Sequence, residues 1–138
     1  MNDRPVSLEE LVAHHGHLGG FDVLGFKGGQ LLIGRLQARR HFGLHIVVWC
    51  PPQPPHSCLL DGLQMATGCS MGKRNLVLRP AADIRVRATN TDTGQTLVAR
   101  PQPAALARIL ELTAAEGADA AGRWAWAQEA ADLWEILA

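Results

Sequence analysis

Apolar and polar positions alternate along this chain in two rhythms. Ser7 is followed three residues later by Glu10, a capping-box pair, and Leu8, Leu11 and Val12 then recur at helical spacing. This predicts a first helix ending near His14-His15-Gly16. A second helix is expected from Gly20 to Gln37, apolar and studded with glycines at 25 and 28. Each interior glycine costs about 1 kcal/mol against alanine, so another backbone is expected to pack closely there. Leu44 to Cys50 (LHIVVWC) is short and β-branched, the pattern of a buried strand. The PPQPPH that follows must be loop, because proline lacks the amide that a ladder needs.

Cys58 to Thr67 predicts a short helix capped by Gly68. Strands are expected at Asn75–Arg79, Ile84–Thr89 and Gln95–Arg100, with Asn90–Gly94 (NTDTG) as the hairpin turn between the last two. Helical spacing returns from Pro103 to Glu116, Gly117 and Gly122 bracket a break, and a last helix carries Trp126, Ala130, Leu133 and Leu137 on one face. Trp124 and Trp134 fall off that face, free to pack on a neighbouring helix or to meet a partner. Helices and an antiparallel meander in mixed order define an α+β class, a mixed or antiparallel sheet packed with helices.

Composition narrows the function. Thirteen basic and 13 acidic residues give a formal net charge of zero, which argues against a nucleic-acid binder resting on a basic face. No apolar run reaches the roughly 18–20 residues of a membrane span, and MNDRPVSLEE has no signal-like apolar stretch, so a cytoplasmic location is expected. Three cysteines form no disulfide framework and are expected as thiols, metal ligands or core.

GCSMGKRN, residues 68–75, has the look of a phosphate loop but not its build. Three residues separate Gly68 from Gly72 where the motif needs four, and Arg74 stands where the magnesium-binding hydroxyl belongs. The glycines follow a helix C-terminus, the negative end of the dipole. Lys73 therefore has two readings: it complements that helix end, or it points into a pocket beside Cys69 and holds an anionic group.

His15-Gly16-His17 can bring two imidazoles to one ion if the helix ends between them. Cys58, at a helix start, is the better thiolate, because the helix dipole lowers thiol pKa there. Cys69 lies eleven residues on, about 16 Å along a continuous helix, too far to share an ion with Cys58. It is a neighbouring group, a buried thiol, or a ligand in a broken-helix geometry. His56 is a further candidate ligand, and Cys50 reads as core. Asp61 and Gln64 sit three and six residues past Cys58, near its face of the helix.

HGH, then a glycine-rich helix, then C-x-x-D-G-x-Q-x-x-x-G-C-x-x-G-K-x-N-L: this pattern resembles the FmdE (FwdE) family of formylmethanofuran dehydrogenase proteins. The residues that carry it are His15, Gly16, His17, Cys58, Asp61, Gln64, Thr67, Gly68, Cys69, Gly72, Lys73, Asn75 and Leu76, spread over about residues 11–80. The resemblance implies helices on a mixed sheet, as in the catalytic domain of glyceraldehyde-3-phosphate dehydrogenase. It also implies zinc or another divalent transition metal at His15, His17, Cys58 and Cys69. Asp61, Gln64, Lys73 and Asn75 are the expected substrate-binding residues. One-carbon metabolism on methanofuran and tetrahydromethanopterin carriers is implied, with a homodimer or a pathway complex as partners. Residues 1–138 are expected to form one such domain, with its core at about 7–100 and a helical segment at about 103–138. The family pattern reads H-G-H-x-C-P-G; here Gly19 and Gly20 replace its cysteine and proline, and no C-x-x-C of a zinc ribbon is present. A non-catalytic accessory protein and a metal-free relative are the alternatives to a metal enzyme.

Overall fold

The computed structural model describes residues 6–138. Among these residues six α-helices and five strands follow one another as α1 (Leu8–His15), α2 (Gly20–Leu36), β1 (Leu44–Cys50), α3 (Leu59–Thr67), β2 (Leu76–Pro80), β3 (Arg85–Asn90), β4 (Thr96–Pro101), α4 (Pro103–Glu116), α5 (Ala118–Ala127), α6 (Ala130–Leu133) and β5 (Trp134–Ile136). The sheet runs β2-β1-β3-β4-β5. β1 and β2 are parallel, and the other pairs are antiparallel. The α+β expectation holds, with a mixed sheet.

Local chemistry sets most boundaries. Ser7 and Glu10 close a full capping box on α1, and Gly16 ends it in a left-handed turn with φ 106°. Gly68, φ 77°, ends α3 the same way. Asn90 Oδ1 accepts the amides of Asp92 and Thr93 and shapes the β3–β4 hairpin.

Alternate strand residues point to the helices. Ile46, Val48 and Cys50 of β1, Val86 and Ala88 of β3, and Ala99 of β4 are all fully buried. The opposite sheet face exposes Arg79, Arg85 and Arg87, and the Arg87 guanidinium lies 5.3 Å from the Trp49 ring centroid.

α2 is the central element, buried along most of its length, and α3 crosses it at backbone contact. A Cβ on Gly62 would sit 1.9 Å from the Asp22 carbonyl oxygen, and one on Gly25 would sit 2.0 Å from that of Leu59. The glycines that weaken α2 as a helix are what allow this approach.

The C-terminus departs from expectation. Gly122 breaks nothing; it lies inside α5, where Leu18 occupies the space a side chain would need. α5 stops at Ala127, and after the four-residue α6 the chain becomes β5 and pairs with β4 through Ala99–Ile136 and Pro101–Trp134. Trp134 is not a partner surface. It is 2% exposed, lies against Gly28, and donates its indole N–H to the Leu24 carbonyl at 2.9 Å. Trp126 packs on Phe26 with ring centroids 5.6 Å apart. No helix is long and apolar enough to cross a membrane among the described residues.

Two alanine substitutions should move stability in opposite directions. Gly62→Ala forces α2 and α3 apart and should cost about 1–3 kcal/mol or more in a urea melt. Gly34→Ala, with open space around it, should gain roughly 0.5–1 kcal/mol. Equal effects at the two sites would contradict the close crossing.

Candidate functional site

Two cavities lie on either side of the contact between His15 and Asp61. The smaller, about 30 Å3, is lined by His15, His17, Asp22 and Cys58, with Gly19 and Gly20 behind them. His15 is the last residue of α1, Gly16 turns the chain, and His17 follows, so the two rings face one another with centroids 4.6 Å apart. Asp22 comes from the first turn of α2, and Cys58 from the 3-10 turn that leads into α3. The α2–α3 crossing brings these last two together.

His15 lies between two carboxylates and bonds to one of them. Its Nδ1 is 2.5 Å from Asp61 Oδ2, and its Nε2 lies 3.9 Å from Asp22 Oδ1. In the neutral tautomer that donates Nδ1–H to Asp61, the Nε2 lone pair is the one left toward the pocket. The His15 side chain is 6% exposed, while that of Asp61 is 43% exposed.

Asp22 is the residue that sequence reasoning missed. It is fully buried, and neither carboxylate oxygen has a hydrogen-bond partner among the described residues. Burial pushes its carboxyl above the ordinary 3.8. His15 pulls it back, as do the nearby amides of Asp22 and Gly19 and the imidazole of His17. The signal was present: Asp22 is the one acid in a helix otherwise apolar but for Lys27, Gln30 and Arg35.

The thiols differ from expectation. Burial pushes Cys58 up, and the nearby carboxylates of Asp61 and Asp22 push it further, opposite to the lowering expected at a helix start. Cys69 does not join the pocket. It is fully buried past the end of α3, with its Sγ 3.6 Å from the Leu44 carbonyl oxygen and 3.7 Å from that of His41. Cys50 is core, as read. His56 packs on Phe21 with centroids 4.7 Å apart and lines a separate cleft.

The larger cavity, about 710 Å3, takes Asp61 and Gln64 from α3. It takes Arg74 from the loop before β2, and not Lys73. Lys73 instead lies 5.9 Å from the Phe42 ring centroid. Asn75 is 7% exposed and fully engaged: Oδ1 accepts the Ser70 amide, and Nδ2 donates to the His41 carbonyl. It closes the 70–75 loop. Of the four expected substrate residues, the structure therefore brings Asp61 and Gln64 together and leaves Lys73 and Asn75 outside the cleft.

Two imidazoles, a carboxylate and a thiol are apt donors for a borderline divalent ion. The unpartnered Asp22 oxygens fit such an ion. Yet no three His, Cys, Asp or Glu side chains among the described residues converge on one point as they stand. Holding an ion requires them to close inward. Gly19 leaves room for that: a Cβ there would be 2.9 Å from Asp22 Oδ1 and 3.5 Å from His17 Nε2.

The model of the family described as FmdE, molybdenum formylmethanofuran dehydrogenase operon, matches residues 14–136. The chain belongs to that family. No curated protein matches it.

Two outcomes follow for the metal-free protein. Below pH 3.8 Asp22 is protonated both folded and unfolded; above it the unfolded chain ionises first, so burial of Asp22 lowers stability as pH rises through its folded pKa. Asp22→Asn should therefore raise the thermal midpoint at pH 7.5 in chelator, with the gain fading toward pH 4; a loss at pH 7.5 would contradict the orphaned carboxylate. In a thiol titration, native protein should react slowly at Cys58 alone, and three thiols should react after unfolding.

Proposed function

We propose that this chain binds a divalent ion, zinc or another transition metal, through His15, His17, Asp22 and Cys58, and that it serves a formylmethanofuran dehydrogenase system in one-carbon metabolism. The observation that carries the reading is the Asp22 carboxylate, fully buried and unpartnered beside two imidazoles and a thiol. A buried carboxylate without partners is costly, and a cation offsets that cost directly. Asp61 contributes by holding His15 so that Nε2 faces the pocket. A bound ion supplies Lewis acidity there. Cys69 is left out of the ligand set, because it lies in the core away from this pocket.

The link to formylmethanofuran dehydrogenase rests on family membership. A cytoplasmic setting, a homodimer and a one-carbon pathway complex belong to the same proposal. The tryptophans give them no added support, since Trp134 is internal. A metal-free relative, acting by binding alone, is the competing reading. It draws on the separated donors and on glycine at position 19.

Elemental mass spectrometry on tag-free protein purified without oxygen decides between them. The expected result is close to one divalent ion per chain, removed by chelator and restored by added zinc. Asp22→Asn, His17→Ala and Cys58→Ser should each abolish retention, while Asp61→Asn should weaken it by about 10–100-fold. Wild type that neither carries nor takes up metal would leave the competing reading standing.

A further inference from the structure

The cleft of about 710 Å3 beside the histidine pocket has no assigned role. Its walls are α3, the edge strand β2, the loop of residues 70–75 and His45 of β1. Its volume falls in the range of roughly 300–1,000 Å3 common to small-molecule sites. Most of its lining is apolar, with Leu76 and Leu78 along the strand and Met71 at the mouth. Met71 is 82% exposed, a flexible thioether suited to covering an irregular ligand.

Arg74 is the second observation. It has φ 61°, a left-handed conformation that a side chain disfavours. The loop holds it there: its amide bonds to the Met71 carbonyl at 2.9 Å, and the Asn75 amide bonds to that of Ser70 at 3.3 Å. The Asn75 side chain clamps the same loop from within. Among the described residues the Arg74 guanidinium has no hydrogen bond or ion pair, although the fold fixes its backbone in a strained state at the rim of the cleft.

Asp61 is the third. One oxygen is bonded to His15, and the residue also lines the cleft. Gln64 stands three residues along, on the same helical face. Together they offer acceptors to an N–H group.

We infer that this cleft binds a small amphipathic molecule with an apolar body, an acidic group held by Arg74, and an amine or amide N–H held by Asp61 and Gln64. The inference goes beyond the metal reading and does not rest on it. The two cavities lie on either side of the Asp61–His15 contact: Asp61 Oδ2 takes His15, which leaves Oδ1 for a ligand N–H.

The probe is 4-(aminomethyl)benzoate, a ring with an amine at one end and an acid at the other. Benzoate and benzylamine are its one-ended controls. Each is titrated into the 15N-labelled full chain, once in chelator and once with zinc, and followed by amide chemical shifts. Saturable shifts are expected in residues 60–64 and 70–78, with a Kd of about 1–10 mM. Arg74→Gln should weaken the two-ended probe and benzoate about tenfold but spare benzylamine. Asp61→Asn should weaken the two-ended probe and benzylamine but spare benzoate. Shifts that fail to saturate, fall elsewhere or ignore both variants would overturn the inference. So would probe-free shifts of these residues with protein concentration, which would make a second copy the occupant. Loss of probe binding with zinc uptake intact overturns the cleft alone; the converse overturns the metal reading alone.

Discussion

Gly25 on α2 and Gly62 on α3 leave no room for a Cβ on either side of the helix crossing, and the position of everything chemical in this molecule is set by that fact. The atom that Gly62 meets is the carbonyl of Asp22, so the first turn of α2 lies directly on α3. Asp22 is thereby carried into the interior next to Cys58, and Asp61 into reach of His15. The arrangement puts a carboxylate in a place that solvates it poorly. The amino end of α2 relieves part of that cost, because its peptide dipoles favour negative charge. Close packing and an unsatisfied acid are two faces of one constraint.

Most of the fold was legible because local chemistry and global packing agree. The capping box at Ser7, the left-handed glycines at 16 and 68, and the NTDTG hairpin each name their boundary, and strand edges fall within about a residue of the pattern. The C-terminus was misread for a physical reason. Its Ala-, Leu- and Glu-rich residues favour helix, but the open edge of β4 offers backbone partners that residues 134–136 take instead. Gly122 has the look of a breaker, yet its neighbour Leu18 requires that it lack a side chain.

The site was legible in kind more than in detail. Spacing brought out His15, His17 and Cys58, which do share a pocket. It could not show Asp22, whose meaning comes from burial alone, or that Cys58 would face two carboxylates. Nor could it tell Lys73 from Arg74. The two are adjacent, and Arg74, at a left-handed backbone position, is the one that lines the cleft. Position 19 is glycine, and the groups nearest to where its side chain would be are Asp22 and His17.

The burial of α2 also shapes how the molecule opens. Its peptide hydrogen bonds are enclosed by α3, α5 and the sheet, and Trp134 and Lys27 tie it to the C-terminal segment through bonds to Leu24 and Gln128. Amide protons in its middle turns can exchange with solvent only when the whole structure comes apart, so they report global stability. The outer strands β2 and β5, each paired on one side only, are free to fray in smaller events. β2 is also a wall of the large cleft, which places an open edge of the sheet against the cavity, while the buried acid sits on the most enclosed helix.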